Sequence, residues 1–180
     1  MRPAAKGNRV VHTRCQIGEL AELAFHHRAR DMGFGVTKPY GNHESYDFVV
    51  DSGNRLWRVQ VKSSSTFIHG AYRVSAHHFR HAPEIKPEYT PKQIDILAAY
   101  ILPVGAWYIL PVRAFTPHLT LMFYPHKPEH NGKYEHFREA WYLMACRRDG
   151  ELRAGIVTSP ACSYSASSGS PCHGYPRKKK

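Results

Sequence analysis

The chain has 180 residues, 42% hydrophobic and 12% aromatic, which is typical of one globular domain rather than a disordered chain. Lysine and arginine number 25 against 14 aspartates and glutamates. The resulting formal net charge of +11 favours an anionic partner such as nucleic acid. No apolar run approaches the roughly 20 residues of a membrane-spanning helix, and residues 1–6 lack the apolar core of a signal peptide. We therefore expect a cytoplasmic protein with no membrane partner. A basic protein without a polyanionic partner is the alternative interpretation of the charge.

The first element predicted in chain order is a helix over residues 14–32. Thr13 and Gln16 have the spacing of a capping box, in which each residue satisfies a backbone N–H of the other. Apolar residues then recur at helical spacing, with Leu23 widening the apolar stripe. Gly33 is a typical residue just beyond the end of a helix, because it adopts a positive φ without strain.

Three extended segments follow the helix. Residues 34–37 predict a short edge strand, residues 46–50 a compact apolar strand, and residues 56–62 a strand that alternates with period two. Residues 51–54, Asp-Ser-Gly-Asn, have the composition of a hairpin turn, so the second and third strands should be antiparallel neighbours. Residues 71–75 predict a further strand.

The second half of the chain is less regular. Residues 76–92 are rich in His and Pro and predict a loop, whereas residues 95–102 and 107–110 predict a buried hairpin. Residues 134–146 carry apolar side chains at helical spacing and predict a second long helix. This element order predicts an α/β domain with a central mixed β-sheet flanked by helices.

Four polar residues near the first strands suit the hydrolysis of a phosphodiester. That reaction needs a divalent cation, oxygen ligands to hold it, and a positive group to offset charge on the phosphate. Asp47 offers a carboxylate, Gln60 offers an amide oxygen on the next strand, and Lys62 shares a strand face with Gln60. A helix packed on the sheet could add Glu22 as a second carboxylate, and Glu19 competes for that role.

These residues resemble the PD-(D/E)xK nuclease superfamily, and most nearly its group I intron homing endonuclease type and the related Holliday junction resolvases. The resemblance covers roughly residues 14–115 and is carried by Gly18-Glu19-Leu20-Ala21-Glu22, Ser45-Tyr46-Asp47-Phe48-Val49-Val50 and Arg58-Val59-Gln60-Val61-Lys62-Ser63-Ser64. Further similarity to the homing type lies in residues 89–91, 94–100 and 107–111. Two positions depart from the pattern: Tyr46 replaces a proline, and Gln60 replaces a glutamate or aspartate.

The resemblance implies a restriction-endonuclease-like core in residues 1–150. It further implies a catalytic set of Glu22, Asp47, Gln60 and Lys62, in which the first three bind Mg²⁺. Lys62 would position water or stabilise the transition state. Residues 151–180 are Ser/Gly/Pro-rich and end in a basic run, and we predict that they form a disordered tail.

Several further side chains are candidates for DNA contacts. Ser63 and Ser64 follow the lysine, where a hydroxyl could contact phosphate or simply end the strand. His77, His78 and Arg80 lie in the predicted loop and could face phosphate. The 13 histidines and four cysteines do not show the spacing of a zinc motif. Asp95 opens a buried strand, and we expect it to be a structural cap.

The sequence therefore predicts a Mg²⁺-dependent endonuclease that acts on double-stranded DNA. One active site in so short a chain predicts a homo-oligomer, at least a dimer, if both strands are cut together. One alternative is a DNA-binding protein of the same fold that has lost cleavage, because Gln60 is a neutral ligand. A junction-specific or RNA-directed nuclease is a further alternative.

Overall fold

The computed structural model describes residues 13–41, 43–78, 88–127 and 132–145. The predicted tail, residues 151–180, and the predicted phosphate contact Arg80 lie outside these ranges. Within them, one long helix, α1 (Arg14–Asp31), packs on a mixed five-stranded sheet. None of the helices in these ranges is long and apolar enough to cross a membrane.

The described ranges contain eight strands and several short helical turns. The strands are β1 (Gly35–Thr37), β2 (Phe48–Asp51), β3 (Leu56–Ser64), β4 (Phe67–Ile68), β5 (Ala71–Ser75), β6 (Ile96–Ile101), β7 (Ala106–Pro111) and β8 (Thr120–Phe123). The turns are 3-10 helices at Leu102–Val104 and Glu135–Phe137, and short α-helices α2 (Val112–Phe115) and α3 (Tyr142–Ala145).

The central sheet has the order β1-β2-β3-β6-β7 and is antiparallel except where β3 and β6 run parallel. The predicted hairpins, β2 with β3 and β6 with β7, are confirmed, and so is the mixed sheet. Strands β4, β5 and β8 form a second, three-stranded sheet. Strand β3 is therefore the middle strand of the central sheet. It belongs to the first hairpin and pairs with β6 of the second.

Helix α1 begins and ends as predicted. The Thr13 backbone N–H donates to Gln16 Oε1 at 2.8 Å, the Gln16 N–H donates to Thr13 Oγ1 at 3.3 Å, and Gly33 has a φ of +84°. The buried face agrees with the predicted stripe at Ala21 and adds Phe25, whereas Leu20 and Leu23 of that stripe are 44% and 67% exposed. The small alanine side chain lets the helix lie close to the sheet, which brings the next residue, Glu22, to the sheet surface.

Two apolar clusters cover the two faces of the central sheet. Phe25 of α1 lies in the first cluster, where its ring is 5.3 Å from that of Phe48 and 5.7 Å from that of Trp141. The second cluster joins the central sheet to the smaller one, and the rings of Tyr108 and Phe123 pack there at a tilt of 41° with centroids 4.3 Å apart. Val59 and Val61 anchor β3 in the first cluster, on the face that α1 covers.

The second long helix predicted over residues 134–146 is wrong. In the described part of that segment a 3-10 turn is followed by an extended residue, Arg138, and by Glu139 with a φ of +49°. The Glu139 N–H donates to the Trp107 carbonyl, so the chain crosses the edge strand β7. Phe137 enters one apolar cluster and Trp141 the other. The helical spacing of apolar residues therefore reflects burial on two faces of one sheet.

Asp95 fixes the start of β6 against β3. Its backbone N–H donates to the Arg58 carbonyl, and its Oδ2 accepts the Arg58 backbone N–H at 2.9 Å and the Arg58 Nε–H at 3.1 Å. Arg55 contacts Oδ1 at 3.1 Å. Burial would raise the pKa of the Asp95 carboxyl, but the hydrogen bonds and charges of the two arginines outweigh burial and lower that pKa.

Replacing Asp95 with asparagine is expected to lower the free energy of unfolding by about 1–2 kcal/mol at neutral pH. The figure is modest because both arginines are partly exposed. The stabilisation by the carboxylate is present above its unfolded-state pKa and is lost as the pH falls through the lower folded-state pKa. Denaturant unfolding from about pH 7 to about pH 3 measures this, and the difference between the proteins should shrink at acid pH. A difference that stays constant with pH would contradict the assignment.

Candidate active site

Asp47 lies directly before β2, where the chain joins the central sheet beside β3. Its backbone N–H donates to the Val59 carbonyl at 2.9 Å. Its Oδ2 accepts the Val61 backbone N–H at 2.8 Å and the Gln60 Nε2–H at 2.5 Å. One oxygen of this carboxylate is therefore held by two donors from β3.

The orientation of the Gln60 amide follows from its partners. Nε2 donates both to Asp47 Oδ2 and to the Val61 carbonyl at 3.2 Å. Both partners are acceptors, so the amide oxygen cannot take the place of the nitrogen. Within the described ranges, Gln60 Oε1 and Asp47 Oδ1 accept no hydrogen bond. These two oxygens are the ones left to bind a ligand.

All four predicted site residues border one cleft of about 280 Å³, which we call the Asp47 cleft. Its lining residues are Gly18, Ala21, Glu22, Asp47, Gln60, Val61, Lys62 and Ser63. Helix α1 supplies Glu22, and β3 supplies Gln60 and Lys62. The structure thus brings together Glu22 and Lys62, which are 40 positions apart in the sequence.

The charged groups of the cleft are partly removed from water. Burial raises the pKa of the Asp47 carboxyl, and the charge of Glu22 raises it further. The hydrogen bonds of Val61 and Gln60 and the charge of Lys62 lower that pKa, but they do not outweigh burial. Burial lowers the pKa of the Lys62 ammonium, although the charges of Asp47 and Glu22 raise it in part. A carboxyl and an ammonium with shifted pKa values in one cleft are typical of catalytic sites.

Lys38 is a residue of this region that sequence reasoning missed. It follows β1, and its Nζ lies 2.6 Å from Glu22 Oε2. The hydrogen bond to Glu22 raises the pKa of Lys38, and the charges of Glu22, Asp47 and Glu19 add to that effect. No spacing in the sequence links Lys38 to Glu22, because the contact depends on β1 lying next to α1.

The oxygen ligands suit a single hard cation. In the part of the chain that the structure describes, no group of three His, Cys, Asp or Glu side chains could hold a metal ion. Glu22 and Asp47 offer two carboxylates, and the free Gln60 oxygen completes a set of the kind that Mg²⁺ binds together with waters. The residues present therefore fit one such ion.

The predicted DNA-contacting residues divide into two groups. Ser63 lines the Asp47 cleft and stays a candidate. Ser64 is buried, and its hydroxyl donates to the Arg73 carbonyl and accepts the Thr66 N–H, so it links β3 to β5 instead. His77 is only 6% exposed, which does not support its predicted contact with phosphate.

His78, the remaining candidate of the predicted loop, packs against an aromatic ring. Its ring centroid lies 4.1 Å from that of Tyr89, and its backbone carbonyl contacts His77 Nδ1. Neither histidine is among the residues that line the Asp47 cleft. These contacts within the described ranges are internal to the protein, and Arg80 lies outside those ranges.

A mixed sheet that presents carboxylates, an amide oxygen and a lysine in one cleft defines a nuclease-like protein. A family model described as PD-(D/E)XK endonuclease matches residues 12–144, and the chain belongs to that family. The chain is also similar to the solved structure of a bacterial homing endonuclease, I-Ssp6803I. The two are 30% identical with a TM-score of 0.67, over 74% of this chain and 94% of that chain. No curated protein matches the chain.

These comparisons confirm the superfamily and the restriction-endonuclease-like fold that the sequence predicted. The match to the family model includes α1, all the strands of the central sheet and the segment that crosses β7. Glu22, Asp47, Gln60 and Lys62 all lie inside that match. The family is one of nucleases, and the roles of individual residues are proposed below.

Replacing Gln60 with glutamate is expected to lower the free energy of unfolding of the metal-free protein by about 1–3 kcal/mol. The change removes both donors of Nε2 and places a carboxylate against Asp47 and the Val61 carbonyl. The same change adds a charged ligand, so Mg²⁺ should bind more tightly and restore stability. Thermal unfolding with a chelator and with Mg²⁺ measures both effects.

Gln93→Glu is the matched control, because its side-chain oxygen accepts from Thr90 outside the Asp47 cleft. That variant should show neither the loss of stability without metal nor the gain in stability with Mg²⁺. If Gln60→Glu is as stable as the wild type without metal, the described role of the Gln60 amide is wrong.

Proposed function

We propose that this chain is a Mg²⁺-dependent endonuclease that hydrolyses phosphodiester bonds of double-stranded DNA, in the manner of a homing endonuclease. The observation that carries the proposal is the Asp47 cleft, in which Glu22, Asp47, Gln60 and Lys62 meet in a member of the PD-(D/E)XK endonuclease family. This convergence supports a reaction that needs both a cation and a positive side chain.

Each side chain of the cleft has a distinct task in this proposal. Glu22, Asp47 Oδ1 and Gln60 Oε1 would hold the divalent cation. When bound, this ion would polarise the phosphate and lower the pKa of a water molecule. Lys62 places its ammonium beside these ligands, where it orients the attacking water and stabilises negative charge that develops on the phosphate. The charges of Asp47 and Glu22 raise the pKa of that ammonium, against the larger effect of burial, which lowers it.

Three features support DNA as the substrate. The net charge of +11 favours a polyanion. The similar solved structure is that of a homing endonuclease. The cleft is also open above α1, since a Cβ added at Gly18 would meet no atom within 4 Å. A DNA backbone could therefore approach Glu22 across Gly18.

The described part of one chain carries one such cleft. A dimer or larger homo-oligomer would therefore be needed to cut both DNA strands together.

The neutral Gln60 supports a second candidate, a DNA-binding protein that does not cleave. The orientation of its amide favours the nuclease, because the oxygen is left to bind a ligand while the nitrogen holds Asp47. Salt-sensitive DNA binding without cleavage in Mg²⁺ would support the second candidate. Branched DNA and RNA substrates, compared with duplex DNA, would identify a junction-specific or RNA-directed enzyme.

Incubation with plasmid or long duplex DNA tests the proposal. Wild type should cleave in Mg²⁺ and stop when a chelator is added, whereas Lys62→Met and Asp47→Asn should each lose about 100-fold or more in rate. Asparagine at position 47 can still accept the Val61 N–H, so loss of cleavage by that variant would not reflect a lost fold.

Lys133→Met is the control, because Lys133 is an exposed lysine that contacts His118 and does not line the Asp47 cleft. This variant should cleave at the rate of the wild type. Equal cleavage by wild type and Lys62→Met would show that the Asp47 cleft is not the active site.

A further inference from the structure

Lys38 and the Asp47 cleft meet at one carboxylate. Lys38 Nζ lies 2.6 Å from Glu22 Oε2 and 5.9 Å from the centroid of the Phe48 ring. A second cleft of about 260 Å³ lies on the Lys38 side and shares Glu22 and Asp47 with the Asp47 cleft. The two carboxylates therefore stand between two cationic side chains, Lys62 on one side and Lys38 on the other.

This contact competes with the use of Glu22 as a metal ligand. An ammonium donates hydrogen bonds and has no lone pair, so Lys38 cannot share in the coordination of a cation. A divalent ion held by Glu22 would repel the nearby ammonium, whose pKa is raised by its hydrogen bond to Glu22 and by the charges of Glu22, Asp47 and Glu19. Lys38 and a metal ion are therefore alternative counter-ions of Glu22.

Lys38 also has the freedom to move. Its side chain is 62% exposed, while that of Glu22 is only 26% exposed. The residue lies directly after the edge strand β1 and lines the second cleft together with Glu44. A lysine released from Glu22 could therefore contact a DNA phosphate, with Glu44 as the competing anion of the same cleft.

We propose that Lys38 is a counter-ion that metal binding displaces. In the metal-free protein it forms an ion pair with Glu22, and it moves to a DNA phosphate when a divalent cation binds Glu22. This inference rests on the proposed function. It makes metal binding and DNA binding mutually favourable, because each moves Lys38 away from Glu22: the metal ion takes the carboxylate, and the phosphate takes the ammonium. Lys38 is a positioning residue in this scheme, and Lys62 stays the catalytic lysine.

Binding measurements on Lys38→Met test the proposal without recourse to cleavage. Titration calorimetry with Mg²⁺ alone should show metal affinity rising about two- to fivefold, the scale of an exposed ion pair. Lys133→Met removes the same charge elsewhere and should leave metal affinity unchanged. In a Glu22→Gln background, Lys38→Met should no longer raise metal affinity, because the shared carboxylate is gone.

DNA binding gives the second measurement, in a Lys62→Met background so that the duplex stays intact. In Mg²⁺, Lys38→Met should weaken binding of a labelled duplex several-fold and reduce the slope of log affinity against log salt by about one. With a chelator present it should have little effect, because Lys38 is then held by Glu22. A simple structural ion pair would not show this dependence on metal.

The outcomes separate this proposal from the function on which it rests. Unchanged or weaker metal binding by Lys38→Met, with wild type still cleaving DNA, overturns the role of Lys38 and leaves the nuclease intact. Equal weakening of DNA binding with and without metal overturns the exchange between Glu22 and phosphate. Wild type that neither binds Mg²⁺ nor cleaves overturns both proposals.

Discussion

The hydrogen bonds to Asp47 Oδ2 are the interaction on which the rest of the site depends. A carboxylate withdrawn from water is costly unless donors compensate it, and here the Val61 N–H and the Gln60 amide supply that compensation. The same two bonds orient both ligands, since they leave Asp47 Oδ1 and Gln60 Oε1 as the oxygens without a partner in the described ranges. A glutamate at position 60 could not hold Asp47 in this way without a cation between the two acids.

The fold positions this arrangement through β3. The strand pairs with β2 on one side and in parallel with β6 on the other, and Asp95 fixes the start of that parallel pair by accepting from Arg58. Ala21 and Phe25 pack α1 against the sheet, which places Glu22 at the cleft. Precise placement of catalytic groups needs such rigid support, and the two apolar clusters provide it on both faces of the sheet.

The sequence predicted the parts of the fold that follow local rules. Capping at Thr13, the turn at residues 51–54 and the strand over residues 56–62 each depend on neighbours a few positions away, and each is confirmed. The predicted helix over residues 134–146 failed because tertiary contacts of Glu139 with β7 outweigh local helical spacing. Lys38 was missed for the same reason, since its contact with Glu22 exists only after β1 and α1 have packed.

The central claim is that Gln60 serves as an oxygen ligand while its nitrogen holds Asp47. A crystal structure with Mn²⁺ in place of Mg²⁺ tests it most directly, because the anomalous signal locates the ion independently of the protein atoms. The account predicts one peak bound by Asp47 Oδ1 and Gln60 Oε1, with Nε2 still donating to Asp47 Oδ2. A peak that lies away from Gln60, or a Gln60 side chain turned away from Asp47, would contradict it.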